Sequence, residues 1–172
     1  MKSSDKILIL DYGSQYTQLI ARRVREIGIF SKVKPSSIST EKIIEMNPSG
    51  IILSGGPETV TVNSSQKVCK SLLEANIPIL GICYGMQTIA NELGGSVINS
   101  DVREFGHAEI SNVNQSVLFD EISFDSNNLD VWMSHGDKVE TLPNDFKLIA
   151  STESAPIAAM EHSSKPIYAL QF

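Results

Sequence analysis

The sequence is poor in several features that mark particular classes of protein. It has two cysteines among 172 residues, Cys69 and Cys83, too few for a disulfide framework, so a reducing cytoplasm is expected. No apolar run approaches the roughly 20 residues that span a bilayer, and no signal-peptide pattern opens the chain, so we expect no membrane partner. Acidic residues outnumber basic ones, 20 to 14, and the resulting charge of −6 argues against a nucleic-acid partner.

What the sequence does contain is an alternation of short apolar runs with longer amphipathic stretches in its first half. This alternation is typical of a parallel sheet covered by helices on both faces. The predicted strands are Lys6–Asp11, Gly50–Leu53 and Ile77–Ile82, and the predicted helices are Ser14–Ile27, Ser65–Ala75 and Tyr84–Leu93. Ser14 is expected to cap the first helix and Gly28 to end it.

The second half of the chain is richer in strand signals. They lie at Leu129–Met133, Phe146–Ala150 and Ile167–Phe172. We interpret them as further strands and ribbons on the same domain. The predicted fold class is therefore α/β, an α/β sandwich whose largely parallel central sheet is flanked by helices.

The strongest motif is PILGICYGMQ at 78–87, in which Gly81 and Gly85 flank Cys83 at −2 and +2. A predicted strand runs into Cys83 and a predicted helix follows, the arrangement of a nucleophile elbow with cysteine in place of serine. The helix N-terminus favours negative charge on the sulfur, so we expect a lowered thiol pKa. The alternative is a buried cysteine that merely packs, which the flanking elements disfavour. Cys69, within a predicted helix and without nearby glycines, is expected to be structural or merely exposed.

A second motif, SGGP at 54–57, follows another predicted strand. Glycines let a backbone approach a ligand closely, and Pro57 fixes the turn. The N–H of Gly55 or Gly56, together with that of Tyr84, would then form an oxyanion hole. The alternative is an ordinary tight turn between strand and helix, which this motif taken alone favours.

A third motif, WMSHGD at 132–137, contains one of three histidines. On residue type alone, His135 is the candidate base for Cys83, and a turn histidine bonded to its neighbours is the alternative. His107 and His162 lie in polar, strand-edge contexts and are not expected to be catalytic. None of the three has metal-ligand spacing with a cysteine, so no metal is expected.

The turn DYGSQY at 11–16 follows the first predicted strand. Its single glycine is weak support for a nucleotide site, which typically needs more glycines. Tyr12, Gln15 and Tyr16 are interpreted as capping and packing residues, in preference to the lining of a pocket or a partner interface.

GICYGMQ and SGGP resemble the class I, triad-type glutamine amidotransferases. Four further segments extend the resemblance over almost the whole chain: ILILDYGSQYTQLIARRVRE, REFG at 103–106, VWMSHGDKV, and ASTES at 150–154. With Tyr84 and Met86, they are similar to the branch that aminates xanthosine monophosphate rather than to the carbamoyl-phosphate and anthranilate branches. The resemblance implies the three-layer sandwich of that family, with a largely parallel central sheet.

The resemblance also implies the chemistry and the residues that perform it. Cys83 would attack the side-chain amide of glutamine, while the backbone N–H groups of Gly56 and Tyr84 hold the oxyanion. Ammonia would leave, and water would hydrolyse the glutamyl thioester to glutamate. The residues expected to contact the substrate are Gln87, Ser134 and His135.

In this family the last strand reads QF and continues into His-Pro-Glu, whose histidine is the base and whose glutamate orients it. The present sequence reaches Gln171-Phe172. We therefore expect residues 1–172 to form one amidotransferase domain, inactive or nearly so by itself because the base and its partner lie beyond Phe172. The expected partners are glutamine, a synthetase (ATP pyrophosphatase) domain that carries ATP and Mg²⁺, and a second copy of the whole enzyme in a homodimer. No cofactor is expected in this domain.

Two other functions are compatible with the elbow. One is a different cysteine hydrolase of the same fold, such as a γ-glutamyl peptidase, against which GICYGMQ and the DYGSQY turn argue. The other is a catalytically incomplete binding module that keeps the fold without the triad.

Overall fold

The computed structural model describes residues 6–63 and 65–172. The side chains of residues 100–104, which include Arg103 of the REFG segment, lie outside the described part. In that part nine strands form one sheet, in the order β2-β1-β3-β4-β9-β8-β7-β5-β6. The strands are β1 Lys6–Asp11, β2 Phe30–Pro35, β3 Gly50–Leu53, β4 Ile79–Ile82, β5 Ser96–Asn112, β6 Asn128–Thr141, β7 Phe146–Ser151, β8 Ala159–His162 and β9 Ile167–Leu170. The helices are α1 Thr17–Glu26, α2 Thr40–Glu45, α3 Lys70–Glu74 and α4 Tyr84–Glu92, with a 3₁₀ turn at Val117–Phe119.

The sheet divides into two halves that differ in strand direction. Strands β2, β1, β3, β4 and β9 pair in parallel, and we call them the parallel half. Strands β8, β7, β5 and β6 continue the sheet with antiparallel pairing, and we call them the antiparallel half. The predicted α/β class is confirmed, but the prediction of a largely parallel sheet is wrong. The second half of the chain folds into hairpins and a long β5–β6 ribbon, which require antiparallel pairing.

The connections of the parallel half determine where a ligand can bind. Right-handed crossovers place α1 and α2 on opposite faces, because the chain moves outward from β1 to β2 and then back across β1 to β3. The order of the strands therefore reverses at β1, and ligands of such sheets bind beyond the carboxyl ends of the strands near this reversal. Strands β1, β3, β4 and β9 all end at that edge.

The predicted elements of the first half are mostly present, with changed ends. Strands β1 and β3 have the predicted bounds, and α1 ends before Gly28, whose φ is +84°. Helix α1 begins only at Thr17, because Ser14 Oγ accepts from Tyr16 N at 3.1 Å within a turn instead of capping a helix. Helix α3 is shorter than predicted. The backbone N–H of Val68 is taken by the Thr88 hydroxyl at 2.9 Å, away from any helical hydrogen bond.

Two groups of buried side chains fill the core, one associated with each half. The larger group packs β1, β3 and β4 against α4 and includes Leu8, Leu53, Ile79, Met86 and Ile89. The smaller group joins strands β5 to β8 to the 3₁₀ turn and includes Ile110, Phe119, Met133, Ile149 and Ala158. Burying each large aliphatic side chain contributes about 2 kcal/mol. Among the described residues, no helix has the length and apolar character that a membrane crossing needs.

Candidate active site

Cys83 lies at the sharp turn between β4 and α4. Strand β4 ends at Ile82 and α4 begins at Tyr84, so the turn consists of Cys83 alone, with φ +49° and ψ −106°. Positive φ is rare for a residue with a side chain, and such strain occurs preferentially at functional sites. The turn is held by Cys83 N, which donates to Leu170 O at 2.8 Å. The predicted elbow is therefore present in the structure.

The two glycines beside Cys83 are required for space rather than for backbone conformation. A Cβ built on Gly81 would lie 2.7 Å from the carbonyl carbon of Gly85, and one built on Gly85 would collide with Leu53 O. Neither glycine has a positive φ. The strain of the turn is thus carried by Cys83, while the glycines let α4 approach β3 and β4.

The environment of the sulfur favours the thiol over the thiolate. Cys83 Sγ donates a hydrogen bond to Gln171 O at 3.1 Å, a bond that a thiolate cannot make. Burial raises the pKa of the Cys83 thiol to about 11. The predicted lowering of this pKa is therefore wrong for the described residues, because desolvation of the sulfur penalises its charged form. Removing the proton from Cys83 requires a base.

The backbone groups expected to hold an oxyanion face the same cavity as Cys83. Gly56 and Tyr84 both line it. Among the residues that the structure describes, neither N–H donates to a protein acceptor, and for Tyr84 this follows from its place in the first turn of α4. Gly55 lies against the nucleophile, since a Cβ built on it would be 3.6 Å from Cys83 Cβ.

The cavity has a volume of about 560 Å³, ample for an amino acid side chain with its ammonium and carboxylate groups. One wall comes from the loops that follow β1, β3 and β4, and the opposite wall comes from the β5–β6 ribbon. All predicted site residues line it: Gly56, Cys83, Tyr84, Gln87, Ser134 and His135. Other lining residues from the predicted motifs are Gln15, Tyr16 and Gly55.

Two further polar residues of this cavity were not predicted. Asn99 Nδ2 donates to Asp137 Oδ1 at 2.9 Å, and Gln87 Nε2 donates to Asp137 O at 3.0 Å. Asp137 is buried, so it brings a carboxylate to an otherwise enclosed wall. It ends the WMSHGD motif, and its place two residues after His135 on the same side of a strand was the signal available. Asn99 lies in β5, which the sequence analysis did not identify as a strand.

The other histidines and the second cysteine lie away from this cavity. His107 Nε2 is 2.8 Å from Asp130 Oδ1 on the exposed ribbon. His162 Nδ1 accepts from Ser164 N at 3.1 Å, and burial is the main cause of its lowered pKa. Cys69 is exposed at the start of α3. In the described ranges, no three His, Cys, Asp or Glu side chains are grouped so that they could hold a metal.

An elbow cysteine, two backbone N–H groups that face its cavity and a mixed sheet with this strand order define a family. The family model for class I glutamine amidotransferases matches residues 8–172. The chain belongs to the class I glutamine amidotransferase family. A solved glutamine amidotransferase from Thermotoga maritima has the same fold, with a TM-score of 0.78 at 21% identity over 98% of this chain and 75% of that one.

Within the family, the chain is similar to the glutamine-hydrolysing GMP synthases. It is 53% identical to that of Teredinibacter turnerae and 54% identical to that of Hahella chejuensis, in each case over 98% of this chain and 33% of the relative. A solved GMP synthase protein from Thermoplasma acidophilum is 33% identical over 100% of this chain and 85% of that one, with a TM-score of 0.89. The chain thus spans about a third of the length of the curated relatives it matches.

Proposed function

We propose that these residues hydrolyse the side-chain amide of glutamine through a thioester on Cys83. The observation that carries the proposal is the strained elbow, which brings Cys83 Sγ and the N–H groups of Gly56 and Tyr84 to one cavity. Cys83 Sγ attacks the amide carbon, and the two N–H groups stabilise the oxyanion that forms. The C–N bond then breaks, and the leaving nitrogen takes a proton and departs as ammonia. Water hydrolyses the thioester, releasing glutamate and restoring the thiol.

The buried thiol makes a general base necessary. At a pKa of about 11, only about one thiol in ten thousand is ionised at neutral pH. We propose that the base is the histidine of a His-Pro-Glu segment that follows Phe172, with the glutamate as its orienting partner. The path of β9 supports this, because Leu170 O and Gln171 O both bond to Cys83, so the chain leaves β9 beside the sulfur. His135, which lines the same cavity, is the competing candidate.

The opposite wall of the cavity supplies groups that suit the amino acid end of glutamine. We propose that the Asp137 carboxylate accepts from the substrate ammonium, held in place by Asn99. Gln87, on the first turn of α4, and the Ser134–His135 segment of β6 complete the substrate contacts. A buried carboxylate in this position would discriminate against substrates without an α-ammonium group.

For the whole protein, we propose that the ammonia serves the amination of xanthosine monophosphate to GMP. The basis is the similarity to GMP synthases over the full length of this chain. The nucleotide step would take place on a synthetase domain that binds ATP and Mg²⁺ and is not part of these 172 residues. A homodimer of the whole enzyme belongs to the same proposal.

The decisive experiment compares glutamine hydrolysis by this chain with that of the chain extended through His-Pro-Glu. Each is assayed with and without Cys83→Ala, and Cys69→Ala serves as the matched control. We expect activity in the extended chain, a loss of more than about 1,000-fold with Cys83→Ala, and little change with Cys69→Ala.

Other outcomes would identify what is wrong. Cys83-dependent hydrolysis by the 172 residues would make His135 the base and refute a base beyond Phe172. No hydrolysis by the extended chain would favour a binding module. Turnover of γ-glutamyl peptides in preference to glutamine would favour a peptidase.

A further inference from the structure

The DYGSQY turn between β1 and α1 contacts the loop that carries the oxyanion donor Gly56. Tyr12 N donates to the buried Ser54 Oγ at 3.0 Å. A Cβ built on Gly56 would lie 2.5 Å from Tyr12 O, and one built on Gly13 would lie 3.4 Å from Pro57 Cδ. The turn and the SGGP loop are thus in contact along several consecutive residues.

The turn is itself fixed by short-range hydrogen bonds. Asp11 Oδ1 accepts from Gly13 N at 2.9 Å and from Thr17 Oγ1 at 2.8 Å. Gly13 has φ +93°, a conformation that a residue with a side chain rarely adopts. The surface against which the SGGP loop packs is therefore rigid, since it is tied to the end of β1 and the start of α1.

The side chain of Tyr12 contacts the second oxyanion donor. Its ring packs against that of Tyr84, with centroids 5.4 Å apart at an angle of 45°. On its other side Tyr84 is held by its hydroxyl, which donates to Gln66 O at 2.7 Å. Burial raises the pKa of Tyr12 far above its ordinary value, so its phenol stays neutral and takes no part in proton transfer.

We infer that Tyr12 is a positioning residue for the oxyanion hole, setting Gly56 through its backbone and Tyr84 through its ring. The inference rests on the proposed function, because it assumes that these two N–H groups stabilise the tetrahedral intermediate. Small displacements matter in such a site, where loss of one donor costs about 100- to 1,000-fold in kcat. The ring, rather than the hydroxyl, is the part of the side chain that the geometry requires.

The test measures kcat and KM for glutamine in the extended chain carrying Tyr12→Ala or Tyr12→Phe. We expect Tyr12→Ala to lower kcat by about 10- to 100-fold with KM changed less than about threefold. Tyr12→Phe keeps the ring and should retain kcat within about threefold. Alkylation of Cys83 by iodoacetamide, which needs no oxyanion donor, should be unchanged in both variants.

Phe119→Ala is the matched control for the loss of a buried ring. Phe119 is 6% exposed, against 9% for Tyr12, and packs on Phe124 in the smaller core group, away from the cavity. It should lower stability without lowering kcat. Unchanged kcat in Tyr12→Ala, an equal loss in Phe119→Ala, or a rise in KM alone would overturn the inference and leave the proposed function standing. Absence of Cys83-dependent hydrolysis in the unsubstituted protein would refute both.

Discussion

The two halves of the sheet contribute to the site in different ways. The parallel half supplies backbone: the strained turn at Cys83 and the N–H groups of Gly56 and Tyr84, all at carboxyl ends of strands. The antiparallel half supplies side chains, since the polar residues of the β5–β6 ribbon face the cavity from the other side. Gln87 joins the two, because its amide on α4 donates to Asp137 O on β6.

This difference shows what each half can tolerate. Where backbone approaches backbone, an added methyl group has nowhere to go, as at Gly81 and Gly85. Where strands are joined by cross-strand side chains, function and stability depend on particular pairs, as between Lys147 and Glu161. The parallel half should therefore be sensitive to added atoms, and the antiparallel half to lost interactions.

The largest expected effect concerns the nucleophile that the parallel half encloses. A folded-state thiol pKa of about 11 means that the thiolate fraction of Cys83 rises about tenfold per pH unit below that value. In this chain with Cys69→Ser, we expect alkylation of Cys83 by iodoacetamide to accelerate about 1,000-fold between pH 7 and pH 10. The rate constant is measured by mass spectrometry of the labelled protein.

Cys69 provides the internal comparison. It is exposed, whereas Cys83 is buried against Gln171, so iodoacetamide should label Cys69 first at neutral pH in the unsubstituted chain. A chloroketone analogue of glutamine should reverse that preference, since it occupies the substrate cavity. A flat rate for Cys83 from pH 7 to 10 would mean that a cationic group within the 172 residues stabilises its thiolate, and the burial argument would be wrong.

The second effect compares one glycine from each half. Gly85→Ala should lower the free energy of unfolding by about 3 kcal/mol or more, because the new methyl group meets the backbone of Leu53. Gly106, in the ribbon, has φ +133° but nothing within 4 Å of a built Cβ. Gly106→Ala should therefore cost only its backbone strain, about 1–2 kcal/mol. Urea unfolding of the two variants measures both values, and equal losses would remove the steric distinction between the halves.

The same distinction explains which strands could be predicted from sequence. Strands β1 and β3 are paired on both sides and largely buried, so they read as apolar runs with clear ends. Strand β2 lies at the edge of the sheet and β5 forms a ribbon with one polar face, so FSKVKP and the long β5 sequence lack such runs. Their pairing comes from partners distant in sequence, which a local pattern does not contain.

The site follows the same rule. The elbow, the SGGP loop and the WMSHGD segment could be predicted because each motif lies at a strand end or on a single strand. The thiol pKa could not, because the carbonyl that bonds Cys83 belongs to Gln171, 88 positions away. The Asn99–Asp137 pair joins residues 38 positions apart on strands whose pairing the sequence does not reveal. Long-range burial and cross-strand contacts are thus what the structure adds.

The smallest expected effect tests whether the antiparallel half depends on side-chain pairs. Lys147 Nζ lies 2.7 Å from Glu161 Oε1 across β7 and β8, with side-chain exposures of 45% and 9%. Ser116 Oγ donates to the other carboxylate oxygen of Glu161. Breaking a buried pair costs several kcal/mol, but the half-exposed lysine leaves water access to the carboxylate, so Lys147→Met should lower the free energy of unfolding by about 1 kcal/mol.

A double-mutant cycle separates loss of the pair from loss of the lysine. In a Glu161→Gln background the carboxylate charge is gone, so Lys147→Met should cost little there, as should Lys42→Met on the exposed face of α2 in the parallel half. The cycle is measured by urea unfolding at pH 7. An equal cost of Lys147→Met in both backgrounds would assign the effect to packing of the lysine stem, and the antiparallel half would then depend, like the parallel half, on packing rather than on particular pairs.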